Sequence, residues 1–249
     1  MRFGSRFRAS CLGGTLFLIL AAPAFAQDAA IPDLAPADYD AVMSESFMRA
    51  HPDMLYRLKG LGALHRGEGP QAEEYFRMAA RNADKMSQAF LAQMLWDGNG
   101  IPKDRALGYV WMDLAAERGT PPLIAERERF WAALDAAERE RALREGKAIY
   151  AEYGDDVSKP RLEREMRRAL KEIVGSHTGN NNGSLNLCVG DWRFKGDQVI
   201  CNRTVDSTRY YQDRFWKPAD YWKWQERQIT APRGEIRLGA PETLPKEGA

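Results

Sequence analysis

Between Ser87 and Gly119 the chain twice sets apolar positions at the spacing of an α-helix, on either side of a glycine-rich break. Ala89, Leu91, Ala92, Leu95 and Trp96 share one side of a first helix, and Leu107, Val110, Trp111, Leu114 and Ala115 recur along a second. Gly98 stands where a left-handed residue ends the first helix, Gly100 lets the connection turn tightly, and Asp104 offers a carboxylate to the unpaired N–H groups opening the second. Helix, tight loop and helix make a hairpin whose one apolar face needs a neighbour.

An earlier stretch supplies that neighbour. Gly60 to Leu64 line up with Phe90 to Met94 at an offset of 30 residues, and Ala72, Tyr75, Phe76, Ala79 and Ala80 fall on Gly108, Trp111, Met112, Ala115 and Ala116 at 36. The earlier copy has a shorter turn, with Pro70 where a first helical residue tolerates it. Tyr75 and Trp111 each precede an Ala-Ala pair by four residues, which predicts equivalent buried positions.

A small-residue helix, a G-x-G loop followed by an apolar residue, the aspartate Asp104 and the ending W-x-x-x-A-A together resemble the Sel-one-like repeat, a relative of the tetratricopeptide repeat. The resemblance is close over 87–119 and looser over 56–82, where the loop is shortened and lacks the aspartate. It implies a scaffold that binds protein and has no catalytic apparatus. The repeat-defining residues are Tyr75, Ala79, Ala80, Gly98, Gly100, Asp104, Trp111, Ala115 and Ala116.

The flanks follow the same helical period. Val42, Phe47 and Met48 mark a helix that should stop near Ala50, because the residue before Pro52 is driven from helical angles. His51-Pro52-Asp53 is a tripeptide shared with J-domain co-chaperones, but it reads here as a helix start. After Pro121-Pro122 come a short helix with Leu123, Phe130, Trp131 and Leu134, a helix opened by Asp135 and Glu138 and ended by Gly154, and a third capped by Ser158. These serve as capping helices for a two-repeat array. Beyond Gly175, Leu185 to Val189 and Gln198 to Thr204 read as two strands, each holding one cysteine, followed by Tyr210, Tyr211, Phe215, Trp216, Tyr221, Trp222 and Trp224. The predicted fold is mainly α: a short α-solenoid of helical hairpins with capping helices and a small C-terminal, disulfide-linked, β-containing module. The expected boundaries are a signal peptide at 1–26, a lead-in with an N-terminal helix at 27–51, two repeats at 52–119, capping helices at 120–174, the aromatic-rich module at 175–230 and a disordered tail at 231–249.

Three arginines ahead of the apolar run Leu12 to Ala22, then Ala24-Phe25-Ala26, predict a secretory signal and a periplasmic location. No later segment is long enough to span a membrane. Removing Arg2, Arg6 and Arg8 takes Lys+Arg from 36 to 33 against 35 Asp+Glu, so a partner held by phosphate attraction is not expected. An oxidising compartment and an even mature count predict that Cys188 and Cys201 form a disulfide.

His51, His65 and His177 lie in separate segments without metal-ligand spacing, and no nucleophile elbow or phosphate loop is present. The reading is therefore a non-enzymatic interaction scaffold with no cofactor and no metal, whose partner is another secreted or envelope protein. An alternative uses the aromatic module to bind cell wall, peptidoglycan or glycan, or to hydrolyse it. Large aromatics dominate the cores of small units, so Trp192, Phe194, Phe215 and Trp222 are expected to cover the disulfide and dock the module on the helices. Neighbouring and alternate rings in the run cannot all face one small core, which nominates Tyr211, Trp216 and Trp224 as an exposed recognition patch.

Overall fold

A computed structural model describes residues 34–174, 186–195 and 198–230. The expected signal peptide, residues 175–185, Gly196-Asp197 and the expected tail from 231 lie outside the described residues.

The centre is a pair of helical hairpins. Helices α3 (Pro52–His65) and α4 (Gly69–Ala80) form the first, and α5 (Lys85–Asp97) and α6 (Arg105–Ala115) the second. Local chemistry sets each boundary. Pro52 opens α3 from its first turn; Gly98, at φ 75°, closes α5; and the Asp104 side chain accepts from the Leu107 N–H at 2.9 Å to open α6. The Asp84 side chain caps α5 through the Ser87 N–H. Consecutive hairpins meet without side chains at their loops, since a Cβ on Gly69 would lie 2.1 Å from the Gly100 carbonyl oxygen.

Two details of register differ from expectation. Asp53, Met54, Arg57, Gly60 and Ala63 are buried in α3, and the buried Asp84, Lys85, Gln88, Leu91 and Met94 lie 31 residues on from each. The structural offset thus exceeds the sequence match by one. In the second helices the offset of 36 brings the buried Ala72, Phe76, Ala79 and Ala80 onto the buried Gly108, Met112, Ala115 and Ala116. Tyr75 and Trp111 correspond, yet only Trp111 is fully enclosed, between Arg77 of α4 and Tyr153; Tyr75 is partly buried and borders an open groove.

Three helices follow: α7 (Pro121–Ala133), α8 (Ala136–Tyr153) and α9 (Asp155–Val174). Asp135 and Glu138 form the expected reciprocal capping box. Gly154 ends α8 in an extended rather than a left-handed conformation, and its carbonyl already accepts from Val157 and Ser158. Ser158 therefore lies inside the first turn of α9 and does not cap it; its hydroxyl donates to the Gly154 carbonyl.

Among the described residues four strands stand where two were expected. β1 (Asn186–Cys188) pairs antiparallel with β4 (Thr204–Asp206), and β2 (Trp192–Lys195) with β3 (Gln198–Cys201). Between the two ladders, Val189 to Asp191 oppose Asn202 and Arg203, so one extra residue bulges the ribbon. Cys188 and Cys201 form a disulfide across this bulge, joining β1 to β3 although neither strand pairs with the other. The aromatic run beyond is helical, as α10 (Ser207–Tyr210), α11 (Asp213–Trp216) and α12 (Pro218–Thr230).

Among the described residues two large apolar cores result, beside a small cluster of Ala106, Val110 and Ala142. One lies between the hairpins and α7–α8, around Leu91, Trp111, Leu114, Phe130 and Tyr153. The other joins the two ends of the chain. Phe47 of α2 (Glu45–Ala50) meets Tyr210, Phe215 and Trp216 edge-on, with Met54, Leu162, Met166, Tyr221 and Trp224 around it. The segments expected as an N-terminal lead-in and a separate C-terminal module share a single core.

Candidate functional site

The expected recognition patch is not an exposed surface. Trp224 is 0 % and Trp216 5 % exposed, and Tyr211 is half-buried against both Tyr210 and Trp216. The Trp216 indole N–H donates to the Tyr210 carbonyl at 2.6 Å, and Trp224 packs edge-on to Phe215. The crowded rings share a core larger than their own segment could build. Helices α2, α3 and α9 contribute the other walls, so the chain has enough apolar surface to enclose them.

The C-terminal segment is fastened by buried polar contacts that its sequence does not announce. Arg57, enclosed in α3, donates to Asp84 at 2.9 Å, to Gln225 at 3.3 Å and to Gln228 at 3.1 Å. Tyr221 donates to Asp53 and receives a hydrogen bond from Gln225. One arginine thus ties the first repeat, the cap of the second and the last helix together. Burial, then the negative Asp84 nearby, pushes the Asp53 carboxyl up to about 7, against the donation from Tyr221 and the charge of Arg57. His51 stacks on Phe47 and holds both ring nitrogens near carbonyl oxygens, of Phe47 at 2.9 Å and Phe215 at 2.7 Å; burial nevertheless lowers it to about 4. The His-Pro-Asp tripeptide is therefore enclosed structure and not an exposed loop. At the N-terminal edge Asp38 accepts from Arg214 and Gln212, at 2.5 and 2.9 Å.

A second charged cluster seals the far edge of the repeats. Lys85 reaches Glu117 at 2.7 Å, Asp155 at 3.1 Å and the Leu114 carbonyl at 2.9 Å, while Arg118 pairs with Asp155. Arg118 and Lys159 both stand over the Trp222 ring. Every group here is occupied by another, which suits a fastening better than a binding site. Among the described residues no group of three His, Cys, Asp or Glu could hold a metal ion.

The feature left open lies at the other end of the array. Along α3, Leu55, Leu58, Lys59, Gly62 and Arg66 form one stripe at helical spacing. Met43 and Met48 bound it on the N-terminal side and Tyr75 of α4 on the other, enclosing an open groove of about 380 Å³. Gly62 leaves its floor free, since a Cβ there would meet only the Arg66 guanidinium at 3.3 Å. Tyr56 and Tyr75 face each other at 6.3 Å, and the Lys59 ammonium lies 5.5 and 5.8 Å from their centroids. Lys59 has no carboxylate partner among the described residues, whereas Arg66 pairs with Glu68 at 2.7 Å in solvent. The sequence carried one signal for this groove: Leu55, Leu58 and Gly62 are apolar on the side of α3 away from Gly60 and Ala63.

Compared with known proteins, residues 57–84 and 85–120 each match the family model of the Sel1 repeat. No curated protein and no solved structure matches the chain significantly.

Proposed function

The chain carries two Sel1 repeats, a tetratricopeptide-related unit whose kind of function is protein interaction, and we propose that it works in the periplasm as a scaffold holding an envelope or secreted partner at the open end of its array. The observation that carries this reading is the open groove on α3, where the partly buried Leu55 and Leu58 and the exposed Met43 present apolar surface beside Tyr75. Nothing in the reading requires chemistry by the chain itself. Glycan recognition through the C-terminal aromatics is less supported, because Trp216 and Trp224 are committed to the core.

The test is a photo-crosslinking residue at position 58, compared with one at 144 on the distant α8, in the protein expressed in its own envelope. A discrete adduct from 58, absent from 144 and abolished by Leu55→Asp, is the expected result. Equal adducts from both positions, or none from 58, would refute the groove as the docking site. Periplasmic location is checked separately, by release of the processed chain on osmotic shock.

A further inference from the structure

The groove also carries information about the shape and charge of what fills it. In the second repeat, Phe90 of α5 stacks on Phe76 of α4 with centroids 5.4 Å apart, so this side of a first helix is where the preceding repeat's helix lies. Counting back by the 31-residue structural offset, the position of Phe90 in the first repeat is Lys59. Its side of α3 is the stacking face of an array that, among the described residues, has no preceding hairpin. The six-residue α2 covers part of it through Met48, and an open groove remains along the partly buried Leu55, Leu58 and Gly62. A face built to receive a helix selects a helix, since the ridge-and-groove spacing of both partners is the same.

Charge narrows the occupant further. Lys59 and Arg66 stand on the same edge of this face, two turns or about 10 Å apart along the helix. Lys59 is held only by tyrosine rings, and the Glu68 partner of Arg66 is an exposed pair that a docking carboxylate can replace. Among the described residues the Arg66–Glu68 pair is the only ion pair made by a residue lining the groove.

Resting on the scaffold reading above, we propose that the groove takes an amphipathic α-helix of the partner protein, apolar toward Leu55, Leu58 and Tyr75, with carboxylates about two turns apart opposite Lys59 and Arg66. Gly62 admits the close approach of its backbone.

A displayed library of amphipathic helical peptides, with the charges flanking the apolar stripe randomised, tests this on the full mature chain. Enrichment of Asp and Glu at positions about two turns apart is expected. The winning peptide should bind Lys59→Glu about tenfold or more weakly, and its lysine-substituted counterpart should prefer that variant. Gly62→Leu, which fills the floor, should abolish binding while the far-ultraviolet spectrum and melting temperature hold. Three results overturn the inference: no enrichment, enrichment without charge preference, or winners indifferent to both variants. Sedimentation adds a fourth, because a dimer that Leu58→Asp dissolves would make a second copy the occupant. A partner crosslinked at position 58 whose contact segment is extended or basic would end this inference and leave the scaffold reading intact.

Discussion

Asp53 shows what a single buried group does to the behaviour of the whole chain. Its carboxyl is enclosed, one oxygen accepts from Tyr221, and the other has no hydrogen-bond partner. With a folded value of about 7 against an ordinary carboxylate value near 3.8, the folded state holds a proton that the unfolded state has lost across that window. Stability from this group is therefore complete below about pH 4 and is lost as pH rises toward 7. His51 contributes with the opposite sign between about 4 and 6.5, where the unfolded chain binds the extra proton, so the two slopes offset each other in wild type. Asp53→Asn removes one slope and leaves the other. Its melting temperature relative to wild type should rise between pH 5 and pH 8; a variant that loses ground as pH rises would show the carboxylate to be stabilising in its charged form. Trp111 and Tyr75 give a second comparison between residues in corresponding places. Trp111→Ala should cost about 3–5 kcal/mol, since the ring is fully enclosed. Tyr75→Ala should cost clearly less, because one face of that ring borders the open groove; equal losses in denaturant melts would contradict the exposure difference.

At the scale of elements, the two hairpins are held together where their loops touch without side chains. Gly67 and Gly69 sit two residues apart and do different jobs. Gly67 takes φ 75° with nothing near its missing Cβ, so Gly67→Ala should cost about 1–2 kcal/mol for the left-handed backbone alone. Gly69 abuts the Gly100 backbone, so Gly69→Ala must part the loops and should cost more, up to about 3 kcal/mol or beyond. A reversed order of the two denaturant midpoints would show that the hairpins do not stack in this register. The loop signals that make these elements were legible: Gly98, Gly100, Asp104, Pro52 and the Asp135–Glu138 pair act locally, within a turn of where they stand. Pairing between distant segments was not. The short β2 was missed because its neighbours Gly190, Asp191 and Gly196 read as turn residues, while the bulge that offsets the ladders exists only once both strands are paired. Ser158 was misread for a related reason, since a serine inside the first turn and one that caps it differ only in backbone angles.

For the molecule as a whole, the least legible feature is also the one that closes it. Periodicity identifies an apolar face but does not say which remote segment covers it, so the aromatic run after the disulfide read as a small local core docked on the helices, with Tyr211, Trp216 and Trp224 left for a surface. Instead Phe215, Tyr221 and Trp224 complete a core whose other half is Phe47 and Met54, and Arg57 spans from that core to the cap of the second repeat. Helix α3 belongs to both cores, through Met54 in one and Ala63 in the other. This arrangement predicts how the chain comes apart. Trp224→Ala leaves a large void in the second core and should cost about 3–5 kcal/mol, but the loss should not spread evenly. Hydrogen exchange should accelerate in α2, in α9 near Leu162 and Met166, and in α12, while α5 and α6, buried in the first core, keep their protection. The groove borders the second core through Met48, so the same variant should weaken partner docking without touching a groove residue. Uniform acceleration through α5 and α6 would mean that Arg57 and α3 weld the two cores into one cooperative unit, and the groove would then be as stable as the repeats themselves.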